Sequence, residues 1–111
     1  SMSQWSPELK DKGGDSLYGA TIRRAQLMGG KIKGILWYQG ESDASAAAAP
    51  LFEQRFVELV AAFRKDLGAP DLPFHYVQIG RHVSAAAGAP WNAVQEAQRV
   101  AEAKIAHSVV Y

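Results

Sequence analysis

No cysteine occurs in the 111-residue sequence, which excludes disulfides, thiolate nucleophiles and thiolate metal sites. The redox compartment stays open, because secreted proteins also occur without cysteine. Neither sign of charge prevails: 12 basic against 11 acidic side chains leave a net charge of +1. The basic residues form no stripe, so neither nucleic acid nor an anionic membrane surface is an expected partner. No apolar run approaches the ~18 residues of a membrane span, and no signal-peptide pattern opens the chain. The parent protein is expected to be soluble, with secreted and periplasmic addresses both open. No two of the histidines have metal-ligand spacing, so no metal is expected. Gly-x-Gly-x-x-Gly and Walker-type loops are absent, and no cofactor is implied. Internal repeats are absent too, and the alanine runs 46–49 and 85–87 read as spacers.

The composition, 48% hydrophobic and 21% charged, is that of one ordinary globular domain near the small end of the range. Ser1-Met2 reads equally as a tag remnant or as natural sequence. Residues 1–14, with Pro7, Gly13 and Gly14, read as irregular. Ser16 caps a helix to about Met28, stopped by Gly29-Gly30. Lys31 to Gln39 reads as a strand, and its continuous run Ile35-Leu36-Trp37-Tyr38 predicts cover on both faces. Phe52, Phe56, Leu59, Val60, Phe63 and Leu67 form one helical stripe, ended by Gly68 and Pro70. Phe74 to Ile79 is a second strand, Gly80 to Pro90 a loop, and Asn92 with Gln95 resembles a capping box on a third helix. Ser108 to Tyr111 reads as a third strand. Helix and strand alternate throughout, which predicts right-handed βαβ units on a parallel α/β sheet. Three strands alone would leave edges unpaired, so further strands are expected in the parent fold.

In open parallel sheets, ligands sit beyond the carboxyl ends of the strands. Gln39 to Asp43 occupies that place after the first strand. Gly40 lets the backbone turn and expose its N–H, Gln39 supplies an amide donor, and Glu41 and Asp43 supply carboxylates. Donors aimed at one point stabilise the oxyanion of acyl transfer. The same residues also read as a turn whose polar groups cap the next helix.

The stretch Gly34-Ile35-Leu36-Trp37-Tyr38-Gln39-Gly40-Glu41-Ser42-Asp43-Ala44 resembles the third block of SGNH-type carbohydrate esterases, in their sialate O-acetylesterase-like branch. Gln4-Trp5-Ser6, Ser16-Leu17-Tyr18-Gly19, Leu72-Pro73-Phe74, Val77-Gln78-Ile79 and Trp91 with Gln95-Glu96-Ala97-Gln98-Arg99 agree in the family's order, over nearly the whole chain. The resemblance implies a three-layer α/β/α, flavodoxin-like fold and deacetylation of carbohydrate. It places Gln39 and Gly40 in the oxyanion site and Glu41 in its support, with a role towards the catalytic histidine. The family's Gly-Gln-Ser-Asn-like nucleophile block and its Asp-x-x-His have no match here. The chain therefore reads as a partial SGNH domain over 1–111, an internal fragment or a shortened relative.

Gly14-Asp15-Ser16-Leu17 spells the signature of the cousin GDSL lipases, but no strand precedes it. Ser16 reads as a helix cap instead. His75 lies within a strand and His107 at the wrong end of one. His82 and its neighbour Arg81 lie in a loop at the productive end, where they can meet a sugar hydroxyl or a carboxylate. Trp5, Trp37 and Trp91 read as core anchors or as sugar platforms. The candidate catalytic residues are thus Gln39, Gly40 and Glu41, and the candidate substrate contacts Arg81, His82, Trp37 and Asp43. The expected partner is an acetylated carbohydrate. The rival reading is a non-catalytic module that pairs with itself or a partner through its sheet edges.

Overall fold

The regular elements follow in the predicted order: α1 (Leu17–Leu27), β1 (Ile35–Trp37), α2 (Phe52–Asp66), β2 (Phe74–Tyr76), α3 (Gly88–Ala101) and β3 (Ser108–Val110). The computed structural model describes residues 1–84 and 88–111, and the alanine spacer 85–87 lies outside the described residues. The strands form one parallel sheet in the order β1-β2-β3. Ile35, Leu36 and Trp37 pair with Phe74, His75 and Tyr76, which pair in turn with Ser108, Val109 and Val110.

Residues 1–14 are not irregular. They form 3-10 segments over Met2–Trp5 and Pro7–Asp15; both lie against α1 and α2, and the first reaches the core through Met2 and Trp5. Ser16 caps α1 as expected: its backbone is extended, and its hydroxyl accepts the Gly19 N–H at 2.9 Å. Past the end of α1, Gly29 and Gly30 adopt φ of +94° and +71°, which side chains with a Cβ rarely tolerate. A 3-10 turn over Ala49–Leu51, with Pro50 in it, leads into α2. The α2 stripe is buried from Phe52 to Phe63. Each of these large apolar side chains contributes about 1.5–3 kcal/mol by leaving water.

The strand predicted over Lys31–Gln39 is only three residues long, as are its two neighbours. A ladder lasts only while both partners stay alongside, and beyond Tyr76 an inserted side chain parts β1 from β2. Helix α3 begins at Gly88, inside the segment expected to be loop. Asn92 is therefore an interior helical residue, and the Gln95 amide donates to the carbonyls of Ile79 and Gly80 instead of closing a capping box.

Helices α2 and α3 pack on each other and on one face of the sheet, around Trp37, Phe74 and Tyr76. Two successive crossovers of the same hand require this placement. The α1 residues Tyr18 and Ile22 join the same core. The opposite face is open: Leu36 is 87% exposed, and Tyr38, Val77, Val109 and Tyr111 are exposed around it. This corrects the expected burial of β1 on both faces. The α/β class and the parallel sheet are as predicted, but the described residues supply helices to one face only.

Candidate active site

Beyond the carboxyl end of β1 the chain turns through Gln39 and Gly40 into a short 3-10 helix, Glu41–Asp43. Two buried polar side chains hold this turn. Asp43, 1% exposed, accepts the Gln39 Nε2–H on Oδ2 at 2.6 Å. Both its oxygens also accept the main-chain N–H of Met2, at 3.0 and 2.9 Å. A carboxylate only accepts, so the Gln39 nitrogen must face it. The Gln39 Oε1 is then buried without a partner among the described residues. From the other side Gln98 of α3, also 1% exposed, donates from Nε2 to the Gln39 carbonyl at 2.9 Å.

Gly40 is a glycine for reasons of space. A Cβ there would lie 2.9 Å from Gln98 Nε2, 2.9 Å from Ile79 Cγ2 and 3.1 Å from Val94 Cγ1. The Gly40 carbonyl accepts from Asp43 N, while its N–H has no partner among the described residues. Glu41 is exposed in the first turn of the 3-10 helix.

Helix α3 also fixes the exit of β2. Trp91, Gln95 and Gln98 share one helical face at i, i+4 and i+7. The Trp91 Nε1–H donates to Gly80 O at 3.0 Å, Gln95 Nε2 donates to Ile79 O at 2.8 Å, and the Gln98 Oε1 accepts Ile79 N at 2.9 Å. Arg81 and His82 follow directly and are exposed. They line a cavity of about 340 Å³ with Trp91, Asn92 and Gln95, where His82 meets the Trp91 ring edge-on at 4.6 Å between centroids. Through α3 the two loops that carry Gln39-Gly40 and Arg81-His82 are held at one end of the sheet.

Neither Trp37 nor Asp43 is presented to a ligand, which corrects their expected place as substrate contacts. Trp37, 8% exposed, points under the sheet into Trp5, Phe56 and Phe74. Asp43 is turned inward because Met2 and Gln39 satisfy it there. His75 lies on the open sheet face beside Tyr111, with Nδ1 3.0 Å from the phenol oxygen. His107 is at the far end of the sheet, 3.4 Å from Asp71. Ser16 donates to Leu9 O and accepts from Gly19 N, as a cap does and a free nucleophile does not. No group of three or more His, Asp or Glu suited to a metal occurs among the described residues.

Sequence reasoning passed over Gln98. Its signal was a polar residue on the apolar stripe Val94, Ala97, Ala101, because a buried amide must find partners.

Comparison with known proteins gives a consistent result. A family model described as carbohydrate esterase, sialic acid-specific acetylesterase matches residues 1–110. A protein of Arabidopsis thaliana named a probable carbohydrate esterase is 36% identical over 89 residues, covering 77% of this chain. The chain spans about a third (32%) of the length of that relative. An X-ray structure of an Arabidopsis thaliana protein superposes with a TM-score of 0.77 at 30% identity, over 100% of this chain and 43% of that one. A carbohydrate acetylesterase of Xanthomonas citri superposes with a TM-score of 0.77 at 22% identity, over 99% of this chain and 27% of that one; at that identity the likeness shows the fold alone.

Proposed function

The chain belongs to the carbohydrate esterase, sialic acid-specific acetylesterase family, and on that premise we propose that it carries the oxyanion half of a serine esterase site acting on acetylated carbohydrate of the xylan or sialic acid type. In such a site a serine oxygen adds to the acetyl carbonyl, whose oxygen becomes negative. The sugar oxygen leaves with a proton, and water then releases acetate from the acetyl-serine. The Gly40 N–H and the second Nε2–H of Gln39 are the donors offered to that negative oxygen. A single donor of this kind is worth roughly 10²–10³ in rate.

The supporting observation is the Gln39-Gly40 turn beyond β1, held by Asp43 on one side and by Gln98 on the other. Glu41, exposed beside it, supports the site, and Arg81 and His82 contact the sugar across the crevice. Neither a Gly-Gln-Ser-Asn-like block nor an Asp-x-x-His occurs in these residues, so nucleophile and base lie outside them.

Two measurements test this reading. Methylphosphonate has the shape and charge of the tetrahedral acetyl intermediate. Titrated into ¹⁵N-labelled chain, it should shift the Gly40 N–H and the Gln39 side-chain amide; no shift at either sinks the oxyanion assignment. With p-nitrophenyl acetate the chain alone should stay at the blank rate, because proximity of nucleophile and base supplies much of the catalysis. Turnover well above the blank, abolished by Ser16→Ala, would overturn both the half-site reading and the cap role of Ser16.

A further inference from the structure

The ladder between β1 and β2 stops in an unusual way. Trp37 pairs with Tyr76, and Val77 N donates to Trp37 O at 3.0 Å. In a parallel ladder the next bond, two residues along each strand, would run from Ile79 N to Gln39 O. Both groups bond instead to one carboxamide. Ile79 N donates to Gln98 Oε1 at 2.9 Å, and Gln98 Nε2 donates to Gln39 O at 2.9 Å. Gln98 thus takes the place of a peptide group between two strands that part at this point. Its orientation is not ambiguous, since an N–H needs an acceptor and a carbonyl needs a donor. Its own main chain is fixed as well, because Gln98 O accepts the Tyr76 hydroxyl at 2.8 Å.

The Gln39 carbonyl and the Gly40 N–H belong to one planar peptide, and no cis bond occurs among the described residues. In a trans peptide the C=O and N–H point in opposite directions. Gln98 holds the carbonyl in the gap between β1 and β2, which therefore aims the Gly40 N–H the opposite way, towards the edge of β1 that has no partner strand among the described residues. We infer that Gln98 is the positioning residue of the oxyanion site: it inserts into the β1–β2 ladder and, by holding the Gln39 carbonyl there, directs the Gly40 N–H to the outer edge of β1. The inference rests on the assignment of Gln39 and Gly40 to that site. Gln98 itself touches no substrate; it acts through the Gln39-Gly40 peptide.

Gln98→Glu separates positioning from mere space-filling. A neutral carboxyl can still donate to Gln39 O and accept from Ile79 N, whereas an ionised one only accepts and repels the Gln39 carbonyl. In ¹H–¹⁵N spectra of this variant, the Gly40 and Ile79 amides should be displaced at neutral pH. They should return together to their wild-type positions as the pH falls and the carboxyl takes up a proton. Gln98→Leu should displace Gly40 at every pH and speed its amide exchange at least tenfold more than that of α2 amides. If Gln98→Leu does not fold, the Gln98→Glu titration decides alone. A Gly40 resonance unmoved in folded Gln98→Glu across the titration overturns the inference. The methylphosphonate titration of the unaltered chain reads the oxyanion assignment separately. A Gly40 that follows Gln98 but ignores methylphosphonate would retain the geometric control and sink the esterase role.

Discussion

Asp43 holds the Gln39 side-chain amide at 2.6 Å from inside the protein, so the orientation of that amide is set by a carboxylate that faces no solvent. Asp43→Ala strands the Gln39 Nε2–H and the Met2 N–H, which should cost roughly 2–4 kcal/mol in urea denaturation. Asp43→Asn behaves differently. Its single oxygen can keep Met2, while its NH₂ faces Gln39 and is satisfied if the Gln39 amide turns over, giving the buried Oε1 a donor. Asp43→Asn should therefore keep most of the stability but lose the methylphosphonate shift of the Gln39 amide. Retention of both would show that Asp43 does not orient Gln39.

Gly40→Ala tests the close approach of α3. The added Cβ meets Gln98 and Ile79 at 2.9 Å, and overpacking of this kind costs roughly 1–3 kcal/mol. Gly14→Ala is the control, since nothing lies within 4 Å of a Cβ there, and surface changes of that sort stay within about 0.5 kcal/mol. Equal melting temperatures for the two variants would contradict the packing.

Periodic features were legible from residue type. The Phe52–Phe63 stripe, the Ser16 cap and the Gly29-Gly30 stop follow from helical spacing and local chemistry, and all three appear as expected. The site was legible only as a segment. That Asp43 and Trp37 turn inward depends on Met2 and Trp5, which lie more than thirty residues earlier in the chain. No spacing rule relates them. The lengths of the strands were hidden for a similar reason, because Gln98, some sixty residues after β1, ends the β1–β2 ladder. Apolar character showed that β1 suits burial on both faces, but not which residues would supply the cover.

Tyr18, Asp66 and Lys10 tie α1, α2 and the Pro7–Asp15 segment together. The Tyr18 hydroxyl donates to Asp66 at 2.6 Å, and Lys10 lies 2.7 Å from the same carboxylate. Burial alone would raise the Asp66 pKa, but the hydrogen bonds from Lys10 and Tyr18 outweigh it and hold the carboxyl below its usual value. A lowered folded-state pKa means stability present above the unfolded value, about 3.9, and lost as the pH falls through the folded one. Tyr18→Phe should cost roughly 1.5 kcal/mol at neutral pH and move the acid-unfolding midpoint to higher pH. An acid limb identical to that of the unaltered chain would show that the hydroxyl does not stabilise the Asp66 carboxylate.

The open sheet face makes a last prediction. Leu36, Tyr38, Val77 and Tyr111 surround a depression of about 350 Å³ together with His75. Strand alternation puts Leu36 on this face and its neighbours Ile35 and Trp37 on the other. A polar residue at 36 therefore alters the surface without entering the core. Contiguous exposed apolar area of this kind favours association, so light scattering of the chain should rise with concentration, and a hydrophobic dye should bind the folded state. Leu36→Lys should reduce both signals while leaving the melting temperature at low concentration within about 2 °C, since surface substitutions of this type change stability by no more than ~0.5 kcal/mol. A large loss of stability would mean that Leu36 is covered in solution. Unchanged scattering would place the association at the sheet edges instead, where unpaired strand groups remain.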